Sequence, residues 1–280
     1  MRVLAPRSLP ELFAALSEPG ARPLSGGTDL LVRLRAERRA GHADPPALVR
    51  LDGVPELHGV VREPGGSLRL GACCTHAELL AHEAVRAELP VLAAALTELG
   101  SPPIRNMGTL GGNICTASPA GDCLPPLAVL GAELELASAA GPRRVALADF
   151  IRGPGRTDLR PGEVLVAVRT APAEGFAVRH FEKVGRRNAL AVAVVSLAAL
   201  VRLERGRVAE ARLAWGSVAP TVWRCPEAEA ELVGRRLSLT ALERAARIVR
   251  ARVQPIDDVR AGAAYRREVA GNLLLRLAAL

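Results

Sequence analysis

The chain is poor in rings. Its 280 residues include four phenylalanines, two tryptophans and one tyrosine. A stacking platform for single-stranded nucleic acid is therefore excluded, and the core must be built from Leu, Val and Ala. Lysine is scarcer still: Lys183 stands alone beside 36 arginines. Because Val184 follows it, the phosphate-cradling G-x-x-x-x-G-K-[ST] loop cannot be written, and no G-x-G-x-x-G occurs either. Five cysteines (73, 74, 115, 123 and 225) form no C-x-x-C pair. That excludes a zinc ribbon and a ferredoxin-type cluster and leaves an odd set of thiols, as expected for reduced cysteines in the cytoplasm. The longest apolar run, "ALAVAVVSLAALV" at 189–201, is too short to span a bilayer and reads as a buried strand. Pro10, Glu11 and Glu18 interrupt any apolar signal core near the start. No repeat period or low-complexity tract stands out.

What is present suits a globular protein of two or three subdomains. Hydrophobic residues make up 49% of the chain, and the net charge is +8. The arginines are scattered, which reads as a solvated surface and not as a nucleic-acid face; an acidic cofactor or acidic partner subunit is the other reading. A lone lysine in an arginine-rich chain points to a place for a compact ammonium rather than a planar fork, with chance as the competing account.

Along the chain, Ser8 and Pro10 open a short helix that ends at Pro19–Gly20. A strand then leads into Gly26–Gly27, followed by a helix from about Thr28. "ALVRLDGV" and "SLRLGACC" alternate like strands. Thr75 caps a helical stretch that Pro90 splits into two helices. "PPLAVLGAELELAS" reads as a helical turn and a strand, and "RRVALADF" and "GEVLVAVRTAP" as further strands. From 176 onward, long β runs with a hairpin at Arg205–Gly206 give way to two helical segments, an α+β arrangement.

Two segments place paired glycines among small polar residues between a strand and a helix: "LSGGTDLL" at 24–31 and "GTLGGNICTASP" at 108–119. The second is also compositionally odd. Two of the four asparagines and two of the five isoleucines fall within 104–114. Adjacent glycines permit positive φ, so successive N–H groups converge into an anion nest. Ser25, Thr28, Thr109 and Thr116 add hydroxyls. Two nests can clasp a dinucleotide pyrophosphate; each pair alone reads equally well as a plain turn.

Taken together, "LSGGTDLL" and "IRNMGTLGGNICTASPAGDCLPPL" closely resemble the FAD-binding subunit of molybdenum hydroxylases. That group includes the flavin domain of xanthine dehydrogenase and the medium subunit of aerobic carbon monoxide dehydrogenase. "FEKVGRRNALAVAVVSLAAL", "AWGSVAPTVWRCPEAEAELVG" and "PIDDVRAGAAYRREVAGNLLLRLAAL" resemble its C-terminal domain, so the likeness spans nearly the whole chain. It implies an α+β protein: a two-lobed PCMH-type FAD-binding domain (1–55 and 56–173), then an α+β C-terminal domain of the CO dehydrogenase flavoprotein type (174–280). FAD would lie between the two lobes and reach toward the third part.

The resemblance also implies the cofactor residues. Leu24, Ser25, Gly26, Gly27, Thr28, Asp29 and Leu30 form the first loop; Thr109, Leu110, Gly111, Gly112 and Asn113 form the second. Both glycine pairs would face the pyrophosphate. Asp122 would stand at the far end of the cofactor, with Leu99, Leu165 and Lys183 as further lining and Leu190 near a gating position. Arg105 also reads as a partner for a surface carboxylate, His76 as structural, and Cys115 and Cys123 as small buried hydrophobes. No catalytic acid or base and no metal ligand is assigned. The implied function is noncovalent FAD binding and electron relay. An iron–sulfur subunit would deliver electrons drawn from a molybdenum-cofactor subunit, and NAD or another acceptor would take them from reduced FAD. The alternative is a binding or regulatory module of the same fold without redox turnover.

Overall fold

The computed structural model describes residues 1–280. Strand β1 (Arg2–Leu4) leads to helix α1 (Leu9–Leu16), whose N-cap is Ser8; the Ser8 side chain accepts from Glu11 N. Strand β2 (Arg22–Leu24), helix α2 (Leu30–Arg39) and strand β3 (Ala47–Arg50) complete the first lobe. Its sheet is parallel, with β3 between β1 and β2. Parallel neighbours need crossovers, and α1 and α2 supply them.

The second lobe begins with β4 (Val60–Arg62) and β5 (Leu68–Gly71). A run of short helices follows: α3 (His76–Ala81), α4 (Glu83–Glu88), α5 (Pro90–Glu98), α6 (Pro102–Met107), α7 (Leu110–Thr116) and α8 (Leu124–Val129). Strands β6 (Glu133–Ser138) and β7 (Gly141–Ala146), helix α9 (Leu147–Phe150), the hairpin β8 (Ile151–Gly153) with β9 (Arg156–Thr157), and β10 (Val164–Thr170) close it. The main sheet is antiparallel, in the order β4-β5-β10-β6-β7. Central β10 is buried on both faces. Val164 and Val166 enter the first lobe's core beside Leu12 and Val49, while Leu165 and Val168 enter the main core. A register shift between Leu165 and Ala167 moves the alternation by one residue, as a β-bulge does.

The helical stretch after Thr75 breaks twice, not once. Thr75 and Glu78 form a capping box that starts α3. The backbone then turns extended at His82, which opens α4 before Pro90 opens α5.

The last part contains β11 (Val178–Val184), β12 (Val195–Glu204), β13 (Arg207–Gly216), β14 (Trp223–Arg224), and helices α10 (Pro226–Leu232), α11 (Leu239–Arg252) and α12 (Ala263–Leu275). The four strands form an antiparallel sheet in chain order. Arg205 and Gly206, at φ +50° and +75°, make the hairpin turn whose twist suits the strands. Val195, Leu197, Ala199 and Val201 face the C-terminal helices, whereas Ala198 and Leu200 join the main core of the second lobe. The apolar run at 189–201 is thus only partly strand. Strand β12 begins at Val195, and Leu190 within the preceding loop has φ +56°. Hydrophobicity marked burial there, but could not distinguish a strand from an apolar loop leading into it. No helix is long and apolar enough to cross a membrane.

Candidate cofactor site

The two glycine segments, far apart in sequence, meet where the lobes join. A Cβ on Gly26 would lie 1.7 Å from Met107 O, so only glycine lets the first loop touch the second lobe's backbone. Ser25 Oγ donates to Thr109 Oγ1 at 3.0 Å, and Thr116 Oγ1 donates to Asp29 Oδ2 at 3.1 Å. Each loop therefore holds the other.

Their backbones do different work. In the first loop no amide from Ser25 to Leu30 donates to a backbone carbonyl. Gly27 has φ +70°, so this turn can gather N–H groups toward an anion. In the second loop, Leu110 N donates to Cys74 O (3.0 Å), Gly111 N to Ala72 O (2.8 Å) and Asn113 N to Thr109 O (3.0 Å). Gly112 N donates to Thr109 Oγ1 at 3.1 Å, the N-cap bond of α7. The expected second nest is corrected accordingly: Gly111 and Gly112 are helical, and these amides are committed internally. Gly111 is needed for close approach, since a Cβ there would lie 2.8 Å from Ala72 Cβ.

The far end of the site crosses to the C-terminal part. Lys183 Nζ, at the end of β11, donates to Asp122 Oδ2 (2.9 Å) and to Glu98 O (2.6 Å). Burial raises the Asp122 carboxyl above the usual range, against the opposing pull of Lys183. Lys183 and Glu98 line a cleft of about 440 Å³ whose other wall is the loop 184–191, including Arg187, Asn188 and Leu190. Asn113 Oδ1 and Asp122 Oδ1 are buried without a hydrogen-bond partner.

The other sequence candidates lie in the core or along the first loop. Leu165 and Leu99, at 3% and 7% exposure, belong to the main core. Leu24, Ser25, Thr28 and Leu30 are half-buried along the first loop, and Asp29 is exposed. Arg105 meets no surface carboxylate; its guanidinium donates to Leu99 O (2.9 Å) and Gly100 O (3.2 Å) at the end of α5. His76 is buried under the second loop, and its backbone N donates to Gly108 O. Burial pushes Cys73 up to about 11 and raises Cys123 further, so neither is a ready thiolate. No group of three or more His, Cys, Asp or Glu side chains is placed to hold a metal ion. Glu98 escaped the sequence reading because it contributes a carbonyl, which no side-chain pattern marks.

Residues 1–171 match the family described as the FAD binding domain in molybdopterin dehydrogenase, and residues 179–279 match the CO dehydrogenase flavoprotein C-terminal domain. The chain belongs to this family of flavoprotein subunits of molybdenum hydroxylases. It is 36% identical over 251 residues to a putative xanthine dehydrogenase FAD-binding subunit of Escherichia coli (strain K12), covering 89% of this chain and 84% of that protein. It is 33% identical over 274 residues to the carbon monoxide dehydrogenase medium chain of Afipia carboxidovorans, covering 97% and 93%. Among solved structures, the quinoline 2-oxidoreductase from Pseudomonas putida 86 superposes with TM-score 0.93 at 31% identity, covering 100% of this chain and 95% of that one. A carbon monoxide dehydrogenase from Hydrogenophaga pseudoflava gives 0.92 at 32% identity, covering 99% and 95%. The fold class expected from the resemblance, and FAD as the cofactor of the family, stand on these matches.

The residues present fit FAD. The Ser25–Leu30 amides are an acceptor-free row suited to a pyrophosphate. The buried, unpartnered oxygens of Asn113 and Asp122 call for donors such as ribityl hydroxyls or ring N–H groups.

Proposed function

We propose that this chain holds one noncovalent FAD between its two N-terminal lobes and serves as the electron-relay subunit of a multi-subunit molybdenum hydroxylase. The row of acceptor-free amides from Ser25 to Leu30 carries the reading. In this arrangement the first loop, Leu24 to Leu30, binds the pyrophosphate. Thr109 and Leu110 to Asn113 form the wall opposite. Asp122 and Lys183 stand at the isoalloxazine end, and Leu190 borders the cleft. Leu99 and Leu165 support these elements from the core behind them. The division into 1–55, 56–173 and 174–280 is supported by the membership of the three larger sheets, with the β8–β9 hairpin inside the second part.

When bound, FAD supplies the exchange between one-electron and two-electron transfer. The protein's own residues bind and orient it. Gly26 permits the close approach of the lobes, Thr109 fixes the start of α7, and Lys183 holds a positive charge beside the cleft. The relatives are subunits of larger enzymes, which supports partners bearing iron–sulfur clusters and a molybdenum cofactor, with NAD or another molecule as the final acceptor. Cytoplasmic residence accords with five cysteines that are all free thiols.

The test is a visible spectrum of the purified protein after incubation with FAD. Flavin bands near roughly 370 and 450 nm that acid releases into the supernatant are expected. In Gly112→Asp, the new Cβ would lie 2.9 Å from Thr109 Oγ1, so that hydroxyl must shift slightly. The carboxylate sits in the first turn of α7, where helices tolerate acid, so the fold should survive, and circular dichroism checks it. Its charge should repel the pyrophosphate and weaken FAD binding at least about 100-fold. A wild-type chain that takes up no FAD refutes the reading.

A further inference from the structure

Outside the cofactor loops, buried polar groups converge on Ser217, just past β13. It is 9% exposed and has φ +64°, a conformation that side-chain-bearing residues rarely adopt. All three of its polar groups are used. Ser217 N donates to Pro119 O at 2.8 Å. Ser217 Oγ donates to Ala193 O at 2.9 Å. Ser217 O accepts from Arg266 Nη1 at 3.2 Å.

Each contact reaches a different element. Pro119 lies in the loop that delivers Asp122. Ala193 and Val194 close the loop that lines the cleft after Lys183. Arg266, on α12, is 3% exposed and also donates to Val194 O at 2.6 Å. Its second terminal nitrogen donates to Asp258 Oδ1 at 2.6 Å, and Arg260 N and Ala261 N hold that carboxylate. One serine and one arginine thus tie together the loop before Asp122, the loop after Lys183, and the C-terminal helix.

We infer that Ser217 and Arg266 are positioning residues that set where Lys183 and Asp122 stand at the cofactor cleft. The inference rests on the FAD reading above. Lys183 and Asp122 come from different parts of the chain, and their 2.9 Å contact requires those parts to be in register. The Ser217 junction supplies that register one step behind the pair. A buried guanidinium is a poor source of net stability, because its desolvation offsets much of its attraction. What its fork supplies is fixed direction to two carbonyls and a carboxylate.

The experiment uses the full chain with FAD. Ser217→Ala removes only the bond to Ala193 O. Ser217→Gly removes that bond and the backbone strain together. Arg266→Lys keeps the charge but loses the fork, and Tyr265→Ala, an exposed neighbour on α12, is the control. The readouts are FAD affinity by fluorescence titration, the shape of the flavin absorption bands, the flavin midpoint potential, and the thermal midpoint of the apoprotein. Ser217→Ala and Ser217→Gly should both bind FAD about 3- to 10-fold more weakly, with altered bands and a shifted potential, while Gly is the more stable of the two. Arg266→Lys should show a larger loss, and Tyr265→Ala none.

Ser217 and Arg266 variants that lose thermal stability yet keep wild-type affinity, band shape and potential overturn the inference, since a purely structural role predicts that pattern. If Arg266→Lys does not fold, the Ser217 pair decides alone. A wild-type chain that takes up no FAD overturns the cofactor reading, and this inference with it.

Discussion

His76 shows how burial converts a titratable side chain into a structural one. It is 3% exposed, and its Nδ1 lies 4.0 Å from Cys123 Sγ. Burial, with the charge of Arg105 second, pulls its imidazole down to about 4. In the unfolded chain the same group takes a proton near pH 6.5. The unfolded state therefore binds more protons between pH 6.5 and 4. Stability is complete above that window and declines as pH falls through it, by about 2 kcal/mol at pH 5. Urea denaturation at pH 7 and pH 5 should show this loss, and His76→Gln should flatten it. An unchanged pH slope in His76→Gln would assign the effect to other groups. Asp122 acts with the opposite sign: its raised carboxyl favours the folded state when protonated, and that contribution is lost as pH rises through its folded value. The sequence allowed the structural role of His76, because the residue follows a strand-to-helix turn. The free carbonyls that Arg105 satisfies were not legible, since they depend on where α5 ends.

At the scale of elements, helix α7 joins local capping to lobe contact. Thr109 Oγ1 accepts from Gly112 N, satisfying an otherwise free N–H at the helix start, and also accepts from Ser25 Oγ of the first lobe. Thr109→Ala should lower stability by about 1–2 kcal/mol and weaken FAD binding, whereas Thr109→Ser should retain most of both. Thermal unfolding and FAD titration of the pair would show it; equal losses in Ala and Ser would mean that the methyl group, not the hydroxyl, matters. Helix α1, the Arg205–Gly206 hairpin and the β11–β13 meander were readable because caps, turns and alternation are local signals. The break at His82 and the loop at 185–194 were not. Helical propensity continues through the first, and apolar character runs from 189 to 194 in the second and on into β12. Packing ends the first and separates the second from the strand.

For the whole molecule, the notable feature is a shared core. Phe181, Ala198, Leu200 and Ala214 of the C-terminal sheet pack into the same 34-residue cluster as the second lobe's helices. Two parts that share a core should unfold together. Both tryptophans, Trp215 and Trp223, lie in the C-terminal sheet with ring centroids 5.5 Å apart, so fluorescence reports on that part alone. Its urea transition should coincide with that of far-UV circular dichroism, which reports on the whole chain. Separated transitions would show that the interface does not carry cooperativity.

Composition and local pattern determined much about this protein. Scarce aromatics forced an aliphatic core, missing cysteine pairs left no cluster site to write, and two glycine-rich segments marked where backbone would come close to a ligand. These are properties of residue type and near neighbours, which the chain carries before it folds. The tertiary structure decided which backbone amides remain available. Both glycine pairs look alike as sequence, yet Cys74 and Ala72 occupy the amides of Leu110 and Gly111, and the first loop keeps its own amides free. It also brought Lys183 to Asp122 and placed Ser217 between three elements. Such pairings depend on the meeting of segments distant in the chain, and a hydrogen-bond donor carries no local sign of which acceptor will reach it.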